Sequence, residues 1–248
     1  MNTATMVQGR STPDDQSGDS GAIPASSLHF RTGRRQEAEG MVMRYHYSRR
    51  IPSSVQLIGS LHLDGGLFGG DGPMVAAAIW AIPPIAWSEP VLELSRLVRG
   101  TARVPLTMLV AKCVKELKKN GHDLLISFAD RGQGHEGIVY RACNWRYAGL
   151  RKPRIDGVLW NGKFINQRQC RHLWGNSMSS LGVIDRTRAI IRGKIEPHFD
   201  EGKHCYWLPL GTRGEAKAKR LGLVAIAPQA SRGVSAGGSY PMPDRVRS

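Results

Sequence analysis

Residues 122–130, HDLLISFAD, limit the fold more than any other stretch. A strand with one wet face alternates apolar and polar residues, but Leu124 to Ala129 is almost unbroken apolar sequence of strand length. Such a run is expected where a strand is covered on both faces. The chain must therefore supply two covering layers, which points to an α/β arrangement. One cover lies just upstream. PLTMLVAKCVKELKKNG sets Leu106, Leu109, Val110, Cys113, Val114 and Leu117 on one helical face. Lysines fill its last turn, which suits the helix dipole, and Gly121 stops it. Downstream, HEGIVYRACN reads as a short helix and WRYAGL as a further strand.

The rest of the chain extends this pattern. RRQEAEGMVMRYHYSRRIP reads as a helix running into a loop stopped by Pro52. SVQLIGSLHL and MVAAAIWAI flank a glycine-rich turn, as in a β-hairpin, and VLELSRLVRG alternates as a strand ending in glycine. DGVLWNGKFINQRQCRHLWG resembles a hairpin turning at Asn161-Gly162, and KHCYWLPLG a final strand. The prediction is a mixed central sheet flanked by helices, in one domain over residues 33–210. Residues 1–32 are rich in Ser, Gly, Asp and Thr without periodicity and are expected to be disordered. Residues 211–248 are expected to be a basic, mostly disordered tail.

At 248 residues and 41% hydrophobic content the chain can bury a real core. It has no apolar run long enough to span a membrane and no apolar signal core at its start, so a cytoplasmic location, with no membrane partner, is expected. Four cysteines form no CxxC pair, which disfavours a cysteine-based zinc knuckle. Cys113 and Cys143 fit helical cores, while Cys170, His172, His204 and Cys205 are weak candidates for a metal site. Thirty-five Lys and Arg against twenty Asp and Glu leave a net charge of +15. Residues 1–30 hold one basic and three acidic side chains, and residues 211–248 seven and two, so +12 falls on residues 31–210. A field of that sign on the folded part attracts polyanions, nucleic acid first. A basic protein without such a partner is the plainer alternative.

The segment SFADRGQGHEGIVYRACNWRYAG joins a strand-end aspartate to a helix tyrosine through three glycines. With YHYSRRIP, ELSRLV and YWLPL, it resembles the Mom family of phage DNA adenine-modification proteins. The strand–helix series from Val91 to Gly149 resembles the GNAT fold of acyl-CoA-dependent N-acyltransferases. The resemblance implies conversion of DNA adenine to its N6-acetamido (methylcarbamoyl) derivative, which protects phage DNA from restriction in a bacterial host. It also implies a catalytic set of His46, Tyr47, Arg96, Asp130 and Tyr140. Sites in open α/β sheets gather at the C-terminal ends of strands, where Asp130 and Arg96 fall. Each residue also has a plainer reading: Asp130 as a turn cap, Arg96 as the partner of Glu93, Tyr140 as core, and the His-Tyr pair as a helix end.

Roles follow from the chemistry of adenine N6, a weak nucleophile that is stacked and paired in a duplex and must be flipped out. Asp130 can accept the amine proton, Arg96 can stabilise developing negative charge, and Tyr140 can protonate a leaving group. His46 can act as a second base or, with Asp130, as a ligand to a metal such as iron. The cofactor is open. An acyl-CoA-type donor would use Arg99, Gly100, Ala102 and Arg103 at the head of the central helix, but Leu97 replaces the expected polar residue. A plain acetyl transfer would also give the wrong product. The expected partner is double-stranded DNA with a flipped adenine. Its candidate contacts are Arg44, Arg49, Arg50, Arg146, Arg151, Lys152, Arg154, Lys163, Arg168 and Arg171, with Trp145, Tyr147, Trp160, Phe164 and Trp174 interleaved. Two rival readings are an ordinary GNAT N-acetyltransferase on a protein or small-molecule amine, and a non-catalytic DNA-binding protein.

Overall fold

A computed structural model describes residues 21–65, 71–84, 86–101, 103–191 and 193–227 of the chain. Strand β1 (Leu28–Thr32) leads into helix α1 (Arg35–Tyr45) and the long hairpin β2 (Val55–Asp64) and β3 (Asp71–Ala81). There follow β4 (Leu92–Arg99), α2 (Leu106–Lys119), β5 (Leu124–Asp130), the short α3 (Ile138–Ala142) and β6 (Arg146–Leu150). An inserted unit comprises β7 (Ile155–Trp160), β8 (Lys163–Asn166), α4 (Gln167–Trp174), α5 (Leu181–Arg188) and β9 (Ile195–Phe199). The chain returns as β10 (Lys203–Pro209) and α6 (Thr212–Arg220).

The main sheet has the order β1-β2-β3-β4-β5-β10-β6. All its pairs are antiparallel except β4 with β5. Strand β5 is covered on both faces, as its apolar run requires. Leu125 and Ala129 join Leu109, Val110, Cys113 and Leu117 of α2 in one core. Leu124 and Ile126 join Trp207 of β10 and Ala218 of α6 in another, on the opposite face. Farther along that second face, Ala38, Met41 and Val42 of α1 pack on Ile58, Ala77, Ile79 and Val98. Helix α2 therefore covers one side of the sheet, and α1 and α6 the other.

The parallel pair is short. It joins Leu92 to Leu125, Glu93 to Ile126 and Leu94 to Ser127, and then stops. β4 runs on to Arg99 and β5 to Asp130 without pairing to each other, so the sheet parts between their C-terminal ends.

The folded region is larger than residues 33–210. Leu28 is buried and β1 pairs along the edge strand β2, so order begins before residue 33. An alternating Leu28-His29-Phe30 is too short to show periodicity inside a polar segment. At the other end, Thr212–Arg220 is a helix rather than tail, anchored by buried Ala218 and by Lys217 on Asp123 at 2.9 Å. Residues 228–248 and 1–20 lie outside the described residues. The inserted unit has its own sheet, β8-β7-β9, and its own core of Val158, Ile165, Cys170, Met178, Ile184 and Ile195. Its hairpin turns at Asn161-Gly162, both at positive φ (50° and 81°), as a two-residue type I′ turn demands.

Candidate active site

Asp130 ends β5 and begins a tight 3-10 turn over Arg131–Gln133. Its Oδ1 accepts the Gly132 N–H at 3.1 Å, a capping bond that orients the carboxylate. Oδ2 faces the hydroxyl of Tyr47, which donates at 3.3 Å, and Nζ of Lys203, 3.6 Å away. Lys203 opens β10 directly opposite Asp130 in the ladder. Gly137 then turns the chain into α3 at φ 71°, and a Cβ there would run into the ring of Tyr206. The glycine is thus required twice, by backbone and by space.

His46 and Tyr47 follow α1, their rings stacked at 4.5 Å. The Ser48 N–H donates to His46 Nδ1 at 3.1 Å, so Nδ1 is an acceptor and Nε2 carries the proton in the neutral ring. Burial, then the positive charge of Arg96, then His135 press the imidazole pKa down to about 4. His46 is therefore neutral at pH 7 and presents an N–H. The ring of Tyr47 is half exposed, but its hydroxyl end is crowded away from water. That desolvation, then the Asp130 charge, raises the phenol well above its usual range.

Arg96 reaches this group through a backbone irregularity. Trp80 opposes Leu94, yet Ile79 opposes Arg96, so one residue of β4 is extra. Trp80 and Leu94 lie in the α2-side core, Ile79 and Val98 in the α1-side core. Strict alternation would send Arg96 to the α2 side with Leu94. The bulge sends it to the α1 side, with Tyr47 and Asp130. Its Nε donates to the Arg50 carbonyl at 3.0 Å and Nη1 to the Ser95 carbonyl at 2.5 Å. Those two bonds hold the guanidinium in place.

Tyr140 comes from the other side of the sheet. It is buried in the α2-side core beside Trp145 and Tyr206. Its hydroxyl lies 2.8 Å from Ser127 Oγ, and Ser127 Oγ lies 2.8 Å from the Leu94 carbonyl. Ser127 has one hydroxyl proton, which the carbonyl takes, so Tyr140 donates to Ser127. This chain crosses from α3 to β5 to β4 at the last paired residues before the strands part. Burial above all pushes the Tyr140 phenol up to about 12. The catalytic set does not gather on one face: His46, Tyr47, Arg96 and Asp130 lie on the α1 side, and Tyr140 in the core beneath the parting strands.

Three neighbours were missed in the sequence, Ser127, His135 and Lys203, and a fourth, Glu93, was read only as a plainer partner for Arg96. Ser127 is legible afterwards as the one polar residue in LLISFA. His135 sits in the glycine turn and meets the Tyr47 ring at 6.2 Å. Glu93 shares the α1 and α6 face by alternation with Leu92 and Leu94, and burial raises its pKa against the pull of Arg96. Lys203 had no sequence signal, since only strand register brings it to Asp130.

The expected nucleic-acid contacts divide. Arg44, Arg49 and Arg50 are exposed at and after the end of α1, beside the cleft. Arg146 is turned away: it makes a two-pronged pair with Glu215 of α6 and stacks over Trp207. Arg151 stacks over Trp87. Trp145 is buried core and offers no face to a base. Lys152, Arg154, Lys163, Arg168 and Arg171 are exposed in or beside the inserted unit.

Neither cofactor reading is completed by these residues. The Gly100 N–H is spent on the Val75 carbonyl at 2.9 Å, Arg99 Nη1 reaches the Val104 carbonyl, and Ala102 lies outside the described residues. With Leu97 in the polar position, the described residues of the loop at 99–103 do not by themselves complete a pyrophosphate cradle. His46 Nδ1 and both Asp130 oxygens are engaged, and among the described residues no three His, Cys, Asp or Glu side chains gather as a metal site. Cys170 and Cys205 lie in separate sheets' cores, away from any shared site. Among the described residues no helix is long and apolar enough to cross a membrane.

A profile of the Mom protein family matches residues 27–222. No curated protein matches the chain. Among solved structures, the ribosomal-protein-S18-alanine N-acetyltransferase from Escherichia coli is 12% identical, covering 76% of this chain and 97% of that one with a TM-score of 0.43. An N-acetyltransferase from Staphylococcus aureus Mu50 is 12% identical over 74% and 99%, with a TM-score of 0.40. A GNAT family N-acetyltransferase from Escherichia coli in complex with CoA is 11% identical over 50% and 71%, with a TM-score of 0.37. All three TM-scores lie below 0.5, so the weight of the comparison rests on the family match; the fold itself is a mixed sheet flanked by helices.

Proposed function

Because the chain belongs to the Mom protein family, we propose that it is a transferase that modifies the N6 amine of adenine in DNA, adding the acetamido group. The observation that carries this reading is the meeting of Tyr47, Asp130 and Arg96 at the point where β4 and β5 part. In that arrangement an extruded adenine approaches from the α1 face. Asp130 accepts a hydrogen bond from the N6 amine and takes its proton as the bond from N6 to the transferred carbon forms and that carbon's bond to the donor's leaving group breaks. Tyr47, holding its own proton, lends that carboxylate a hydrogen bond and competes for it until substrate arrives. The Arg96 guanidinium, pinned by two carbonyls, faces negative charge that develops in the transferring group without having to reorganise. His46 offers Nε2–H to an acceptor on the purine edge. Tyr140 keeps its proton at neutral pH and can pass it on only by way of the Ser127 hydroxyl, which would turn from the Leu94 carbonyl to a leaving group between the parted strands.

The test is to express the full chain in bacteria, digest total DNA to nucleosides and measure deoxyadenosine by mass spectrometry. A new nucleoside heavier by one acetamido group is expected with the wild type, and its loss with Asp130→Ala and with Tyr140→Phe. Unmodified DNA from the wild type, or full modification by both variants, overturns the reading.

A further inference from the structure

No described side chain of the inserted unit bonds to His46, Tyr47, Arg96 or Asp130, yet the unit's charge is sorted. Between residues 155 and 199 there are three carboxylates, and each is matched within the unit. Asp156 meets His198 at 2.7 Å, Asp185 meets Arg188 at 2.6 Å, and Glu196 meets Lys194 at 2.8 Å. Lys163, Arg168, Arg171 and Arg186 are exposed, and no carboxylate among the described residues pairs with them. On α4 this sorting becomes a face. Cys170 is buried, and Gln167, one turn earlier on the same stripe, binds the Ile155 and Met178 carbonyls. Arg168, Arg171 and His172 therefore fall on the outward stripe, three and four residues apart. A capping box at Asn166 and Gln169 holds the first turn of that helix, which fixes where the stripe points.

The unit joins the main sheet through a narrow neck. Arg151 N–H donates to the Lys203 carbonyl at 2.9 Å, Asp200 N–H to the Arg154 carbonyl at 2.9 Å, and Arg154 N–H to Asp200 Oδ1 at 2.9 Å. The neck ends at Lys203, whose side chain lies 3.6 Å from the Asp130 carboxylate. Whatever the unit holds is thereby tethered close to Asp130.

We propose that the inserted unit is a grip for the phosphate backbone of duplex DNA, with Lys163 and the Arg168–Arg171 stripe of α4 as its contacts. The assignment rests on the DNA reading above for its choice of polyanion. Exposed cations without a carboxylate partner among the described residues, on a separately cored unit, suit a regular array of phosphates. Nothing in the stripe requires base readout, so binding is sequence-independent.

The test uses the full chain and a short fluorescein-labelled DNA duplex of random sequence, with affinity read by anisotropy across a salt series. Each lost phosphate contact lowers the slope of log K against log salt by about 0.9. Substituting Lys163→Gln, Arg168→Gln and Arg171→Gln together is expected to lower it by about 2 to 3 and to weaken binding about tenfold or more at low salt. Lys194→Gln, in the same unit but already paired with Glu196, leaves the slope unchanged. A triple variant that matches the wild type in slope overturns the proposal, as does tighter binding of an RNA duplex than of DNA. Nucleoside analysis separates the two claims. If the wild type modifies DNA while the triple variant binds like the wild type, only the grip fails. If the triple variant loses its slope while the wild type leaves adenine unmodified, only the catalytic reading fails.

Discussion

Removing the smaller partner of the Tyr140–Ser127–Leu94 chain should cost more than removing the larger. In Tyr140→Phe the ring and its packing stay, and Ser127 still donates to the Leu94 carbonyl. Only one buried hydrogen bond is lost, about 1 kcal/mol. Ser127→Ala deletes a single oxygen but strands a buried phenol donor, at about 1–3 kcal/mol, and removes the bond to Leu94 for about 1 more. The expected total is about 2–4 kcal/mol, and at this chain length each kcal/mol is worth about 2–4 °C in Tm. The double variant Ser127→Ala/Tyr140→Phe has no stranded phenol. It should be more stable than Ser127→Ala alone by about 1 kcal/mol or more, although it carries an additional substitution. Urea unfolding followed by tryptophan fluorescence reads all three, since Trp145 lies 5.4 Å from the Tyr140 ring. Additive losses, or a Tyr140→Phe cost equal to that of Ser127→Ala, would refute a chain in which Tyr140 donates to Ser127 and Ser127 to Leu94.

Gly137→Ala should destabilise by about 2–4 kcal/mol, combining a left-handed backbone with overlap on Tyr206, while Gly162→Ala, also at positive φ but with open space around it, should cost only the backbone part, about 1 kcal/mol; thermal melts compare the two. Asn166→Ala removes the α4 capping box and should cost about 1 kcal/mol, seen as faster amide exchange in α4. His46 has its pKa lowered from 6.5 to about 4 on folding, so the unfolded chain binds its proton first. Its contribution is intact above pH 6.5 and is lost as pH falls from there toward 4, so His46→Gln should flatten the pH dependence of stability in that window. A variant that steepens it would show that the ring is not the titrating group.

Much of the framework was readable because burial writes itself into periodicity. The apolar run at Leu124 to Ala129 demanded two covers, and α2 and α6 provide them. The Asn161-Gly162 turn was readable because its backbone accepts few other residues. What escaped the sequence was register. The extra residue in β4 that turns Arg96 toward Tyr47 leaves no mark in ELSRLV. Lys203 reaches Asp130 only through pairing of strands 73 residues apart, and Arg146 is diverted by a glutamate in a helix that composition assigned to the tail. Tyr140 lies, as read, in the short helix that follows Asp130, but its face depended on how α3 packs.

The neck has a consequence for what the sheet can tolerate. Its two strands enter and leave opposite one another, with Arg151 bonded to Lys203 as in the closing rung of a hairpin. A two-residue turn can bridge that rung, so β6 and β10 would keep their ladder if everything between were excised. The seven-stranded sheet is thus a chassis with a socket: attachments of other shapes can be exchanged at this one position without redesigning the chemistry beside it.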